Sequence, residues 1–465
     1  MRGTVKLKKT PRFLFALFLA KIALITQRIL KMNASYFPGK LAITLCPDFL
    51  GRIDKPETII GVTGTNGKTT CCNLIIDALT DLGYDVLNNR FGSNINAGVA
   101  SSLISGSTLF GKAKKEIAVF EIDERSSVRI YPYVKPTFLL CTNLFRDSIR
   151  RNAHSEYILD IISKYVPETT KLVLNADDLV SSRIAPGNER VYFGIERMET
   201  DLPESINIVN DMRLCPVCNS ELKYDFVRYH HIGRAHCPNC SFSSPKPDYL
   251  AKADFENLTL TMTRGLESTQ FKLINDSIFN AYNLTAVVAL LEQFGIEAKK
   301  LSDILSNQKI VETRFSEEKI GDIEVISNMA KGQNPIACSC VFDYVKRAEG
   351  TKEVILLLDD VHDNAASSEN ICWIYDADFE FLGDESIKRI IIGGVRAIDY
   401  KVRLEIAGVD ESKIICIDKE SDTPDAVRWD ADKIYVLHEL YRNDEALAVR
   451  DEIKRRLRER TGGNA

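Results

Sequence analysis

The chain has no run of the roughly 20 apolar residues that a membrane-spanning helix requires, no internal repeat, and no excess of charge of either sign. Its 60 Lys and Arg against 65 Asp and Glu give a formal net charge of −5 over 465 residues. The first absence argues against a polytopic membrane protein, and the last against the overall basic footprint of a nucleic-acid binder. What is present is ordinary: 45% hydrophobic and 27% charged residues, the balance of a folded soluble protein. The length exceeds one ordinary core and predicts two or three domains of about 150 residues each. Twelve cysteines would suit a secreted disulfide scaffold, but such scaffolds are short, and four of these cysteines have the paired C-x-x-C spacing of metal sites. The sequence therefore predicts a reducing, cytoplasmic setting.

Residues 1–50 form a basic and apolar segment. Phe13 to Ala20 is an unbroken apolar run behind Arg2, Lys6, Lys8, Lys9 and Arg12, as in a signal peptide. Lys21 interrupts it, Ile22 to Ile25 resumes it, and no small-residue cleavage site precedes Gln27 and Arg28. Three readings remain open: a basic amphipathic segment lying on the inner membrane face, a first helix packed on the protein's own core, and, against its shortness, a true membrane span.

Further along, 57–62 reads as a strand, a glycine-rich loop follows, and 69–82 reads as a helix closed by Gly83. Strand-like runs at 117–122, 137–142 and 171–175 alternate with helical stretches such as 157–165, the pattern of a parallel sheet covered by helices. A cysteine-bearing insert occupies about 211–247, the run 258–264 alternates like an antiparallel strand, and 280–294 is an apolar helix ended by Gly295. Beyond 314 a second alternation, with strands at 354–358, 389–392 and 433–437, predicts a separate C-terminal α/β domain. The charge-dense stretch 451–460 reads as a solvated terminal helix.

Residues 61–70, Gly-Val-Thr-Gly-Thr-Asn-Gly-Lys-Thr-Thr, lie between the first predicted strand and helix. Glycines let successive backbone N–H groups face an anion, and the following helix offers its positive N-terminal end. Gly61, Gly64 and Gly67 supply the permissive backbone, Lys68 an ammonium for the β- and γ-phosphates, and Thr69 a hydroxyl for Mg²⁺. Two residues separate Gly64 from Gly67, and five separate Gly61 from Gly67, so this is a variant of the common phosphate loop.

Cys215-x-x-Cys218 and, eighteen residues on, Cys237-x-x-Cys240 have zinc-ribbon spacing, with Pro216 and Pro238 inside the two turns. Four thiolates fill a tetrahedral zinc site and leave no position for water, so the metal is expected to be structural. Arg228, His230, His231, Arg234 and His236 nearby raise a nucleic-acid-binding NTPase as a rival, but the net charge of −5 weighs against it.

Thr63-Gly64-Thr65-Asn66-Gly67-Lys68-Thr69-Thr70 resembles the ATP loop of the Mur ligases of peptidoglycan synthesis. Asn88-Asn89-Arg90-Phe91-Gly92-Ser93-Asn94, Glu121-Ile122-Asp123-Glu124, Thr142-Asn143-Leu144-Phe145-Arg146-Asp147 and Leu174-Asn175-Ala176-Asp177-Asp178 follow in order. They resemble the successive signatures of the MurT family, the ligase-like subunits of lipid II isoglutaminyl synthases, over nearly the whole chain. The resemblance implies an α/β fold: a Mur-ligase-like central ATP-binding domain over 51–313 with a zinc-ribbon insert, then a Rossmann-like C-terminal domain over 314–465. It implies ATP, Mg²⁺ and Zn²⁺, with nucleotide contacts from Gly64 to Thr70, including Thr65, Asn66 and Thr70. Asn283 is similar to the Mur-ligase asparagine that contacts nucleotide, and Arg314 to an arginine at the domain junction. Glu121, at the predicted C-terminal end of a strand where ligands of open α/β sheets gather, takes the Mg²⁺ role that the resemblance assigns.

Asp359-Asp360-Val361-His362-Asp363-Asn364 follows a predicted strand, again a ligand-binding position. The resemblance makes Asp363 the aspartate that orients the histidine of a partner glutaminase, GatD, whose cysteine and histidine lie on the other chain. Ser367-Ser368 replaces the usual Asp-Gly, Asn328 to Asn334 matches its family pattern only in part, and Arg150-Arg151-Asn152-Ala153 stands where Asp-Arg-Tyr-Gly is usual. The cysteines outside the ribbon lack a glycine-flanked nucleophile turn. The resemblance thus implies phosphorylation of the D-glutamate α-carboxyl in the lipid II stem peptide and attack by ammonia from a second subunit docked on the C-terminal domain. The alternative is a Mur-type ligase that joins an amino acid to a peptide or polyglutamate.

Overall fold

The computed structural model describes residues 7–32, 35–90, 93–146, 154–306, 315–330, 334–360, 363, 371–439 and 443–462. The chain divides into two compact units: residues 1–145, 154–204 and 212–309 form the first, and residues 146–153, 205–211 and 310–465 the second. The expected boundary at 313/314 falls outside the described residues.

The first unit opens with α1 (Pro11–Ile29) and α2 (Phe37–Leu45). Thr10 caps α1 by accepting from the Phe13 N–H, and Pro11 occupies the first turn, where its missing N–H costs nothing. Six strands follow: β1 (Thr58–Thr63), β2 (Val86–Asn88), β3 (Ile117–Glu121), β4 (Phe138–Cys141), β5 (Lys171–Asn175) and β6 (Arg190–Ile195). After a separate antiparallel hairpin, β7 (Lys223–Tyr229) and β8 (Ile232–His236), come β9 (Tyr249–Asp254), β10 (Thr259–Arg264) and β11 (Glu267–Lys272). The sheet order is β11-β10-β9-β6-β5-β4-β1-β3-β2. Pairing is parallel from β2 to β9 and antiparallel through β10 and β11, so the predicted antiparallel run at 258–264 lies one strand in from the β11 edge.

Among the helices that cover this sheet are α3 (Lys68–Asp81), α4 (Asn96–Ser105), α5 (Ser155–Tyr165) and α6 (Ile278–Gln293). The central strands are apolar on both faces, as a parallel sheet covered twice demands. Helix α6 is buried continuously from Ala281 to Leu291, which explains a sequence apolar all round rather than on one stripe. One end of the core takes in Phe13, Ala16, Leu17, Ala20 and Leu24 of α1. The core-packed reading of the N-terminal helix is thus met on one of its faces.

The second unit is a six-stranded sheet built from β12 (Phe315–Ile320), β13 (Ile323–Met329), β14 (Lys352–Leu357), β15 (Ile387–Gly393), β16 (Ile414–Ile417) and β17 (Lys433–His438). Its order is β12-β13-β17-β14-β15-β16, with only the β12–β13 pair antiparallel. Every residue of β14 is buried; Val354 and Leu356 feed one core and Ile355 and Leu357 the other. Three helices flank it: α7 (Pro335–Arg347), α8 (Ala397–Ile406) and α9 (Asn443–Arg460). The 451–460 stretch corrects the expectation of a merely solvated helix. Ala446, Val449, Ile453 and Leu457 form a buried stripe of α9, while Arg455 and Arg456 pair with Glu452 on its outer side.

Candidate functional site

Strand β1 ends at Thr63, and the chain turns at Gly64 (φ +125°) and Gly67 (φ +87°) before α3 begins at Lys68. Both φ values lie where only glycine is comfortable, and both positions are also crowded. A Cβ at Gly64 would lie 2.2 Å from the Thr142 hydroxyl oxygen, and one at Gly67 would lie 2.3 Å from Asn283 Oδ1. Asn283, from the buried helix α6, therefore stands directly against the loop. A second clamp comes from the end of β4. Thr142 Oγ1 donates to the Asn66 carbonyl (2.6 Å), Asn143 Oδ1 accepts from the Asn66 N–H (3.0 Å), and the Thr65 N–H donates to the Asn143 carbonyl (2.8 Å). Thr69 and Thr70, both half-buried, occupy the first turn of α3.

Lys68 folds back onto its own loop. Its ammonium donates to Glu124 Oε1 at 2.8 Å, to the Thr65 carbonyl at 3.3 Å and to the Gly64 carbonyl. Burial alone would pull this amine's pKa down, but the charge and hydrogen bond of Glu124, with Glu121 and Asp123 behind, raise it above the ordinary lysine value. The loop therefore carries a fixed cation. Glu121 stands at the C-terminal end of β3, where Asn94 Nδ2 donates to its Oε1 (3.1 Å) and Asn89 bonds its backbone on both sides.

Glu124 is the residue that sequence reasoning missed. It closes the Glu121-Ile122-Asp123-Glu124 block, in which only Glu121 stands at the strand end. The signal was the strand end followed by a 3₁₀ turn, which swings the side chain of residue 124 back toward the loop. Arg314 lies outside the described residues. The rest of the loop set, with Asn283 and Glu121, is brought into one cluster.

The four ribbon cysteines also converge. Their sulfurs all lie within 4.8 Å of one another, with 3.5 Å between Cys215 and Cys240 and 3.4 Å between Cys218 and Cys237. Tetrahedral zinc with Zn–S bonds of about 2.3 Å needs sulfurs about 3.8 Å apart, so the donor set fits the ion. The Val217 and Asn239 N–H groups donate to the sulfurs of Cys215 and Cys237, the turn geometry that orients thiolates. Hydrogen bonds with the Ser220 hydroxyl and backbone hold the Cys218 thiol down to about 6. Although a hydrogen bond from the Phe242 backbone pulls the other way, burial and the neighbouring thiols push Cys240 up to about 12.

The hairpin β7–β8 carries the ribbon into the first unit through buried ion pairs. Arg234 Nε donates to Asp177 Oδ1 (2.9 Å), Arg228 grips Asp201 with two nitrogens (3.0 and 2.8 Å), and Tyr282 OH donates to Asp177 Oδ2 (2.8 Å). His231 Nε2 meets Asp178 Oδ1 at 3.1 Å. Burial would raise the Asp178 carboxyl, yet His231 and the Val180 backbone hold it below the ordinary aspartate value. At the hairpin's tip, Tyr229 and His231 pack against Phe145, whose backbone N–H and carbonyl bracket the Thr65 hydroxyl. The basic and histidine side chains that suggested nucleic acid are thus largely internal: Arg228, His230 and His231 are buried.

In the second unit, Asp359 follows β14 and is buried at a turn. Its Oδ2 accepts from the Val395 N–H (2.7 Å) next to Gly394, where φ is +115°. Asp363 is half-buried and closes a short turn with Asp360: its Oδ2 accepts from the Asp360 N–H (2.8 Å), and its own N–H donates to the Asp360 carbonyl (2.9 Å). Of the two carboxylates, Asp363 is the more accessible. Ser367-Ser368 and 150–153 lie outside the described residues. Asn334 caps α7, accepting from the Ala337 N–H at 2.9 Å.

Comparison with known proteins agrees with this geometry. Residues 62–243 match the family model described as Mur ligase middle domain, and residues 332–441 the one described as MurT ligase C-terminal. The chain is 32% identical over 403 residues to the lipid II isoglutaminyl synthase (glutamine-hydrolyzing) subunit MurT of Staphylococcus aureus strain COL, covering 86% of this chain and 89% of that one. The subunit of the same name from Streptococcus pneumoniae is 32% identical over 387 residues, covering 82% and 84%. Among solved structures, a pseudomurein peptide ligase type C from Methanothermus fervidus aligns with a TM-score of 0.63 at 22% identity, covering 89% of this chain and 81% of its own. MurF of Thermotoga maritima in complex with ADP aligns with a TM-score of 0.57 at 15% identity, covering 91% and 85%. These structural likenesses carry the fold.

Proposed function

Because the chain belongs to the MurT family of Mur-ligase-like proteins, we propose that it is the ligase subunit of a lipid II isoglutaminyl synthase. It amidates the α-carboxyl of the stem-peptide D-glutamate to D-isoglutamine at the cytoplasmic face of the membrane, using ATP and ammonia from a glutaminase partner. The observation that carries this reading is the loop cation: Lys68 pinned to Glu124 beside Glu121, in a chain that matches the Mur ligase middle domain over 62–243 and the MurT C-terminal domain over 332–441. When bound, ATP would supply the phosphoryl group that activates the carboxylate, leaving ADP, and Mg²⁺ would offset the phosphate charge. The chain's own contribution is positioning and charge. The Gly64–Gly67 turn and the start of α3 present N–H groups to an anion, and Lys68 adds its ammonium. Glu121 and the Thr69 hydroxyl would hold Mg²⁺, and Asn283, which stands against Gly67, would contact the nucleotide. Cys215, Cys218, Cys237 and Cys240 hold a structural Zn²⁺.

The glutaminase docks on the second unit. The exposed face of α8 supports this, since Ile398, Val402 and Ile406 stand in line four residues apart, and Val395 begins the same face beside the Asp359 turn. Ile398→Asp combined with Ile406→Asp is expected to abolish co-purification with the glutaminase while leaving ammonium-dependent activity intact. Co-purification at the wild-type level would place the dock elsewhere.

Asp363 is the residue that orients the partner's histidine. In an assay of lipid II, ATP and either ammonium or glutamine, Asp363→Asn is expected to cut the glutamine-dependent rate by about 10²-fold or more and to leave the ammonium-dependent rate within about twofold. Equal losses with both nitrogen sources would refute the assignment.

A further inference from the structure

We infer that the outer face of α1, with the 107–113 loop at its side, is a docking surface for an anionic lipid bilayer. The helix has two apolar faces. One is consumed by the core. The other, formed by Phe15, Phe18, Ile22, Ile25 and Ile29, recurs every three or four residues and is between 45% and 75% exposed. Met32 and Phe37 extend it beyond the end of the helix and are also exposed. Packing within the first unit needs only the inner face, and an apolar stripe this long facing water marks an interaction site.

Charge identifies the occupant. Residues 1–47 contain nine lysines and arginines and not one aspartate or glutamate, whereas the remaining 418 residues carry a net charge of −14. Some of these cations serve the fold: Lys9 pairs with Asp54, and Lys21 donates to the carbonyls of Ile104 and Ser107. Arg12, Arg28, Lys31 and Lys40 remain exposed around the stripe. The 107–113 loop, tied to the segment through the Lys9 bond to the Gly111 carbonyl, adds Leu109 and Phe110, each 70% exposed. An apolar stripe rimmed by cations suits the boundary between acyl chains and anionic headgroups. A second copy of the chain fits poorly, because stripe-to-stripe association would set two segments of the same strong positive charge against each other. No described helix is long and apolar enough to cross a membrane, so the helix lies along the surface.

The surface also lies close to the chemistry. Arg28 donates to the Ser105 hydroxyl at the C-terminal end of α4, and Asn94, just before that helix begins, donates to Glu121. The ten residues of α4 span about 15 Å, a short reach from an embedded lipid anchor to the carboxylate cluster. This last point rests on the amidation reading; the surface itself does not.

The test is flotation of the full chain with phosphatidylglycerol-containing vesicles and with purely phosphatidylcholine vesicles, beside the variant Phe18→Ser with Ile25→Ser. Both substituted positions are exposed, so thermal midpoint and zinc content should match wild type. Wild type is expected to float with the anionic vesicles, bind the neutral ones more weakly, and lose at least about tenfold of its binding in the variant. Absence of wild-type flotation, or equal flotation of the variant, would overturn the proposal. So would a wild-type dimer that the variant converts to monomer, which would make the stripe an interface between copies. No substrate enters the experiment, so failure of the amidation reading would leave its result unchanged.

Discussion

Replacing Lys68 by alanine is expected to lower ATP turnover by about 10³-fold or more, the range seen when a fixed cation is removed from a phosphoryl-transfer site. The size follows from the arrangement. The ammonium is held at the mouth of the loop by two loop carbonyls and Glu124, with side-chain exposures of 13% for Lys68 and 3% for Glu124. The Lys68 ammonium is bonded directly to the loop backbone, so its loss removes positive charge from the loop itself. Sequence alone suggests that such a change spares the fold, but the geometry says otherwise. Without Lys68, Glu124 is a buried carboxylate lacking its counter-ion, a loss that costs about 3–5 kcal/mol unless the group takes up a proton. Lys68→Ala combined with Glu124→Gln is therefore expected to recover most of the thermal stability and none of the turnover. Turnover restored in the double variant, or normal in the single one, would remove Lys68 from the chemistry.

The second large effect concerns the metal. Cys215→Ser is expected to reduce bound zinc from one per chain to almost none, with loss of a folding contribution whose apparent size in zinc-finger peptides is about 10–16 kcal/mol. The damage should not stay local. The hairpin that carries the ribbon leans on Asp177 and Asp178, and its tip packs on Phe145, which brackets Thr65 of the phosphate loop. Nucleotide affinity is therefore expected to fall by about tenfold or more along with the metal, because a misplaced loop loses its preorganised donors. Metal analysis and titration with a non-hydrolysable ATP analogue measure the two together. Unchanged metal content would contradict the ribbon, and metal loss at full nucleotide affinity would contradict the link through Phe145.

Much of this was legible in the sequence because it rests on local spacing. The phosphate loop is set by glycines whose positive φ values no other residue tolerates well, and the zinc ligands by two C-x-x-C turns that bring sulfurs together whatever surrounds them. Strand and helix order could be read for the same reason, since β5 and the core of α6 are apolar runs bounded by turns. What could not be read depends on distant partners. Glu124 acquires its role only because β1 and β3 are neighbours in register, with Val62 opposite Glu121. Asp177 and Asp178 look like a family signature in sequence, yet in the structure they anchor the ribbon hairpin. Helix α1 is ambiguous in sequence because it has two apolar faces: the core takes one, and the other is the exposed stripe for which a bilayer surface is proposed.

The most direct test of the whole account is incubation of the purified chain with lipid II, ATP, Mg²⁺ and isotope-labelled ammonium, followed by mass spectrometry of the stem peptide and measurement of ADP. The account predicts one labelled amide per ADP released, located on the α-carboxyl of D-glutamate. Release of ADP without amide, or incorporation of an added amino acid in place of ammonia, would contradict it.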